Sequence, residues 1–190
     1  MAVITTPKGK AVWPWIAAPD YKFNEAGTFS CRLHVTEDEF GAIKRQVDEQ
    51  VEREYDEACK AAGKKIPRAS SQPLRKTDDG DWEIYAKQNA SRVTKDGEKL
   101  KFVIPVFDSQ GKKLKIPPPV GSGSIIKMSI EPYTWNVASM GFGYTLRLKA
   151  VQVIDLVEYG GTVSFDAEEG GFVSEDLDDA MSDDGESVPF

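Results

Sequence analysis

Cysteine and histidine are almost absent from this 190-residue chain, which has only Cys31, Cys59 and His34. Two thiols cannot build a disulfide framework or a four-thiolate zinc site, and one imidazole cannot supply a two-histidine metal centre. Most metal-dependent and histidine-relay chemistries are thereby excluded. Long apolar runs are also missing. Nothing approaches the ~18 residues that a membrane-spanning helix needs, and the opening Met1-Ala2-Val3-Ile4-Thr5-Thr6-Pro7-Lys8 lacks the layout of a secretion signal. The expectation is a protein without membrane span, metal or cofactor, sized for one globular domain with an appendage.

Bases are missing from one end. All 24 Lys and Arg lie at or before Lys149, whereas residues 166–190 hold ten acids, Asp183, Asp184 and Glu186 among them. Residues 1–165 carry those 24 bases against 21 acids, so the net charge of −7 combines a +3 body with a −10 tail. An acidic, Gly/Ser/Asp-rich segment with few large apolar groups cannot offset its ordering entropy, and 166–190 is expected to be a disordered tail behind a domain at 1–165. The tail ends in Val188-Pro189-Phe190. A leash of this kind can seat Phe190 in a partner's pocket while Asp183, Asp184 and Glu186 meet bases around it, or lay its acids in the protein's own basic groove.

Thr36-Glu37-Asp38-Glu39 has the form of a capping box, and Phe40, Ile43, Val47, Val51, Tyr55, Ala58 and Ala62 recur at spacings of three and four. A helix is expected over about 37–62, stopped by Gly63. The rest reads as strands. Phe29, Cys31, Leu33 and Val35 alternate with Ser30, Arg32, His34 and Thr36, which turns His34 outward. Trp82–Lys87, Leu100–Phe107, Ser124–Ile130 and Tyr144–Val157 are further β-rich runs, and Pro117-Pro118-Pro119 must be a connection. Residues 64–78 read as a mobile basic loop. About five strands with one inserted helix predict a mainly β fold, an OB-like five-stranded antiparallel barrel, with a β-sandwich as the alternative.

Catalytic motifs are lacking. Gly121-Ser122-Gly123-Ser124 precedes a strand rather than a helix and has no following Lys-Ser/Thr, so it reads as a turn and not as a phosphate loop. Asp78, Asp79 and Asp81 flank Gly80 as solvated turn residues, and both cysteines read as packing thiols. What remains is aromatics beside bases. Trp13 and Trp15 lie in a Pro-interrupted opening segment near Lys10. Tyr133 and Trp135 lie with Phe142 and Tyr144 around a polar loop, flanked by Lys127, Arg147 and Lys149. Single tryptophans are as readily core residues, but aromatic faces in a basic groove are what sequence-tolerant single-strand binding requires.

Three stretches carry a family resemblance: Ile16-Ala17-Ala18-Pro19-Asp20-Tyr21, Val106-Phe107-Asp108-Ser109-Gln110-Gly111-Lys112-Lys113, and the region from Pro119-Val120-Gly121-Ser122-Gly123-Ser124 through Pro132-Tyr133-Thr134-Trp135-Asn136 to Gln152-Val153. Together with the acidic tail ending in Phe, the chain resembles the single-stranded DNA-binding proteins of podovirus-type bacteriophages. The resemblance implies a non-enzymatic OB-fold that binds single strands with little sequence preference in phage replication, recombination and repair. It also implies strand annealing, with a tail that contacts the phage DNA polymerase and helicase-primase and competes with DNA. It places Tyr133 at the family's stacking tyrosine, with Trp135 beside it and Trp13 and Trp15 near aromatic positions of the opening segment. Arg92 and Lys95 are candidate phosphate contacts by position.

The tail is shorter than the family's. Its Val-Pro-Phe ending is also similar to the Ile-Pro-Phe of bacterial single-strand-binding proteins, which implies host partners for Phe190 as well. A homodimer is compatible with the family, and the expected location is the cytoplasm of the infected bacterium. The rival from another class is an acidic protein-interaction adaptor with no DNA binding, its aromatics forming a docking patch. Removing residues 166–190 should tighten single-strand binding and steepen its dependence on salt. Unchanged affinity at low salt would contradict a tail that occupies the groove.

Overall fold

The computed structural model describes residues 2–70 and 72–158. The acidic tail at 166–190, with Asp183, Asp184, Glu186 and Phe190, lies outside the described residues.

The helix forms where its caps require. In α1 (Glu37–Ala62) the Thr36 hydroxyl accepts from the Glu39 N–H while the Thr36 N–H donates to the Glu39 carboxylate, and Gly63 closes the other end at φ 63°. Phe40, Ile43, Val47, Val51 and Tyr55 are buried along one stripe. Ala58 is only partly buried and Ala62 is exposed, so the stripe stops short of the last turn. Phe40 packs on Trp82 at 4.8 Å between ring centroids and Tyr55 meets Phe142 edge-on at 5.2 Å, which seats α1 against the sheet.

The described residues form ten strands: β1 (Ile4–Thr5), β2 (Gly9–Asp20), β3 (Thr28–Val35), β4 (Leu74–Lys76), β5 (Trp82–Asn89), β6 (Ser91–Val93), β7 (Lys99–Lys101), β8 (Val106–Phe107), β9 (Ile125–Val137) and β10 (Gly141–Asp155). Five of them pair in a closed ring, β2–β3–β5–β10–β9 and back to β2. Ring closure hides the strand edges that an open sheet would expose. Numbered within the ring alone, this is the 1-2-3-5-4 order, with α1 inserted between the second and third strands. The ring is not wholly antiparallel, because β5 and β10 run parallel. β1 adds to β9, β4 to β5 and β8 to β10, while β6 and β7 form a separate hairpin. Leu33, Ile84, Ile126, Met128, Ile130, Leu146 and Leu148 fill the interior.

Four expectations are corrected. The Pro-interrupted opening segment, outside the strand runs expected from the sequence, is strand β2; register shifts between Val12 and Trp15 and between Trp15 and Asp20 accommodate Pro14 and Pro19 as bulges. Residues 64–78 are not a free basic loop. Ile66, Ala69 and Leu74 are buried, Arg68 pairs with Glu52, and the Ala69 and Phe142 backbones tie the segment to β10. The run 100–107 breaks into β7 and β8, with Phe102–Pro105 outside both. Tyr133-Thr134-Trp135-Asn136 is not a loop but the second half of β9. Pro132 is tolerated there because beyond Ile130 the strand pairs only with β10, leaving its other edge without a ladder.

Gly141 joins the docked segment to β10. At φ 83° it is left-handed, and an added Cβ would lie 2.1 Å from the Pro67 carbonyl oxygen that accepts from the Phe142 N–H. Gly141→Ala should lower stability by at least ~1–3 kcal/mol, read as a lower urea midpoint at unchanged slope. An unmoved midpoint would contradict this clamp.

Candidate nucleic-acid interface

Strand alternation sorts the ring into an apolar inside and a polar outside. On β5, Ile84 and Ala86 face in and Glu83, Tyr85 and Lys87 face out. On β10, Leu146 and Leu148 face in while Thr145 and Arg147 face out, and on β9 Pro132 faces in while Tyr133 faces out. Register then sets neighbours. Lys87 lies opposite Arg147 across the parallel pair, and Thr145 lies opposite Tyr133. The Arg147 guanidinium sits 3.5 Å from the Tyr133 ring centroid, a cation–π contact that fixes both side chains at one place on the surface.

This place is the wall of a groove of about 600 Å³ lined by Lys87, Arg92, Phe102, Tyr133, Arg147 and Lys149 together with polar and apolar neighbours. Arg92 of the β6–β7 hairpin also lines it, 5.9 Å from the Phe102 ring. Four cations and no carboxylate line the groove. The nearest opposition is Glu131, 3.4 Å from the Lys149 ammonium, and an exposed pair of this kind costs little to open. The groove therefore suits a polyanion that carries stackable rings.

Cross-strand register extends this surface. Trp15 lies opposite Ser30, Ser30 opposite Lys87, and Lys87 opposite Arg147, a row of three strand spacings or about 15 Å. Beside it Arg32 stacks over Tyr85 at 5.0 Å. Trp135 lies on the same outer side, its indole against Gly143, where an added Cβ would come within 2.3 Å of the ring.

The sequence-derived candidates fare unequally. Tyr133, Arg147 and Arg92 come together in the groove, and Trp15 joins by the row. Trp135 borders it as a half-buried ring. Trp13 is 67% exposed but lines a different cleft. Lys127 is six residues from Tyr133 on β9, about 20 Å away, opposite Gln152, and does not line the groove. Lys10 sits near the start of β2 opposite His34 and Ile125, and Lys95 sits in the hairpin turn; neither lines the groove. Phe142 and Tyr144, grouped with Tyr133 in the sequence, are core residues. Lys87 and Phe102 were missed. Lys87 is legible in the alternation of Glu83, Tyr85 and Lys87, whereas Phe102 was hidden by reading 100–107 as one strand. Burial pushes the Cys31 thiol up to about 12, so it remains a packing group.

A sequence model of the family described as single-stranded DNA-binding protein of bacteriophage T7 matches residues 9–156. The chain belongs to this family. It is 30% identical over 199 aligned residues to the single-stranded DNA-binding protein of Escherichia phage T7, covering 90% of this chain and 85% of that one. It is 31% identical over 142 residues to the corresponding protein of Enterobacteria phage T3, covering 67% of this chain and 61% of the relative.

Solved structures agree on the fold. The crystal structure of gp2.5, a single-stranded DNA-binding protein of bacteriophage T7, superposes with a TM-score of 0.73 at 22% identity, covering 88% of this chain and 99% of that one. The single-stranded DNA-binding protein of bacteriophage Enc34 in complex with single-stranded DNA gives a TM-score of 0.62 at 18% identity, covering 84% and 89%. The OB-like fold and the family read from the sequence are both borne out.

Proposed function

We propose that this family member binds single-stranded DNA in the Tyr133–Arg147 groove and along the row that leads through Lys87 to Trp15. The observation that carries the reading is the groove's lining, four cations and no carboxylate around two aromatic rings, Tyr133 and Phe102. Bases stack on rings whatever their identity, at ~1–3 kcal/mol each, and phosphates follow the cations with a salt-dependent term. Nothing in that arrangement breaks or forms a covalent bond. The role is to protect and organise single strands during phage replication, recombination and repair.

The finer parts of the reading rest on the sequence. Residues 166–190 would compete for the groove and, through Phe190 with Asp183, Asp184 and Glu186, recruit the phage polymerase and helicase-primase and host partners of bacterial single-strand-binding proteins. The site of action would be the cytoplasm of the infected cell; among the described residues no helix is long and apolar enough to cross a membrane. Homodimerisation would bring two grooves together. A pure adaptor reading is disfavoured by the groove itself, since a protein-docking patch is depleted in charge at its centre.

Tyr133→Ala should weaken binding to a thymine oligonucleotide by ~1–3 kcal/mol while leaving the urea midpoint in place. Arg147→Ala should lower the slope of log affinity against log salt by about 1. Titration with quenching of tryptophan fluorescence as readout checks both; wild-type affinity in the two variants would refute the assignment.

A further inference from the structure

A second cleft, of about 280 Å³, opens on the outer face of β2, β3, β4 and β5. Glu83 lies four residues before Lys87 on the same face of β5, so this cleft is about 13 Å from the first groove. Its construction is different. Glu83 is 3% exposed, and its carboxylate accepts from Arg75 Nε at 2.8 Å, with Arg32 Nε at 3.7 Å and His34 Nε2 at 3.6 Å. A buried anion surrounded in this way serves to hold cations in position. Arg32 Nε and His34 Nε2 are themselves buried without a hydrogen-bond partner among the described residues.

Trp13 forms one wall. It is the one non-glycine residue with positive φ among those described, at 49°, and its side chain is exposed. Strain at an exposed aromatic gains nothing from packing and needs support from elsewhere. The Gly121-Ser122-Gly123-Ser124 turn supplies it. Ser122 Oγ accepts from the Trp13 N–H at 3.0 Å, Gly123 N–H donates to the Ala11 carbonyl at 2.8 Å, and Ala11 N–H donates to the Ser124 carbonyl at 2.8 Å. The glycine-rich segment thus positions an indole.

The lining mixes signs. Arg32, Arg75 and Lys76 line the cleft together with Asp78, Asp79 and the buried Glu83. A phosphate would meet carboxylates as well as cations here, unlike in the first groove. A ligand that offers acceptors to the guanidinium and donors to the carboxylates fits better. Every DNA base offers acceptors and donors, but guanine alone sets two adjacent acceptors, O6 and N7, which match a guanidinium, beside two adjacent donors, N1–H and the N2 amino group, which match a carboxylate. The space suits one base against an indole rather than a run of strand.

We propose that this cleft is a guanine-selecting subsite at the far end of the strand path. Trp13 stacks the base, Arg75 donates to O6 and N7, and the Asp78–Asp79 turn accepts from N1–H and N2. The proposal rests on single-strand binding by the first groove, and adds a base preference to otherwise sequence-tolerant binding.

The test is competitive titration of the full chain with a thymine oligonucleotide and with versions carrying one guanine, adenine or hypoxanthine in place of a thymine. The guanine version should bind at least about five-fold tighter than all-thymine, the lower end of what a bidentate base contact discriminates. Adenine should match thymine, and hypoxanthine, which lacks the N2 amino group, should fall between thymine and guanine. Asp78→Asn with Asp79→Asn should collapse the guanine-to-thymine ratio toward one. Equal affinity for guanine and thymine, an adenine effect as large as guanine's, hypoxanthine equal to guanine, or a ratio unchanged in the double variant would overturn the subsite. Failure of the thymine oligonucleotide to bind at all would instead overturn the reading of the first groove.

Discussion

The parallel pairing of β5 with β10 is the constraint on which the rest depends. It closes the five-strand ring, and its register sets Ala86 beside Leu146 on the inside and Lys87 beside Arg147 on the outside. Like charges placed opposite one another across strands are destabilising. The apolar layer beneath them, with Leu33, Ile84, Met128, Ile130 and Leu148 in place, offsets that repulsion. The same register that makes the core continuous therefore makes the outer surface cationic. A phosphate arriving between Lys87 and Arg147 would relieve a repulsion already built into the fold, so stability and binding are linked through one strand pair.

Charge segregation follows from this arrangement. The groove gathers four cations while α1 keeps nine acids against four bases, and the tail holds ten acids and no base. A uniform surface of the same net charge would repel a nucleic-acid backbone. Concentrating nineteen of the 31 acids in one helix and one terminus lets a protein of net charge −7 present a basic face. Even within that face the two clefts differ: one has cations alone and the other mixes both signs around a buried Glu83. Electrostatics alone would therefore have them hold different parts of a nucleotide.

Much of this was legible in the sequence where a period or a cap is strong. The α1 boundaries follow from Thr36, Glu39 and Gly63, and the inward positions of β3 follow from strict alternation. Where prolines interrupt a strand the pattern misleads. Pro14, Pro19 and Pro132 each sit inside a strand, tolerated by a bulge or an unpaired edge that no local signal announces, so β2 and the second half of β9 fall outside the strand runs that alternation marks. The sequence points to both Tyr133 and Arg147, but their contact depends on the β9–β10 register, and Lys87 joins them only through its pairing with Arg147, sixty positions away. Phe102 and the second cleft depend on tertiary placement of short segments. The polar composition of 64–78 concealed Ile66, Ala69 and Leu74, three apolar residues that suffice to dock it.

The account stands on Tyr133 and its cationic neighbours touching the strand. Photo-cross-linking of the full chain to a bromouracil-substituted single-stranded oligonucleotide, with the cross-linked peptides located by mass spectrometry, tests this directly. Adducts on Tyr133 or Phe102 are the predicted result. Adducts confined to α1 or to the β1 side of the ring, with these two rings unmodified, would contradict it.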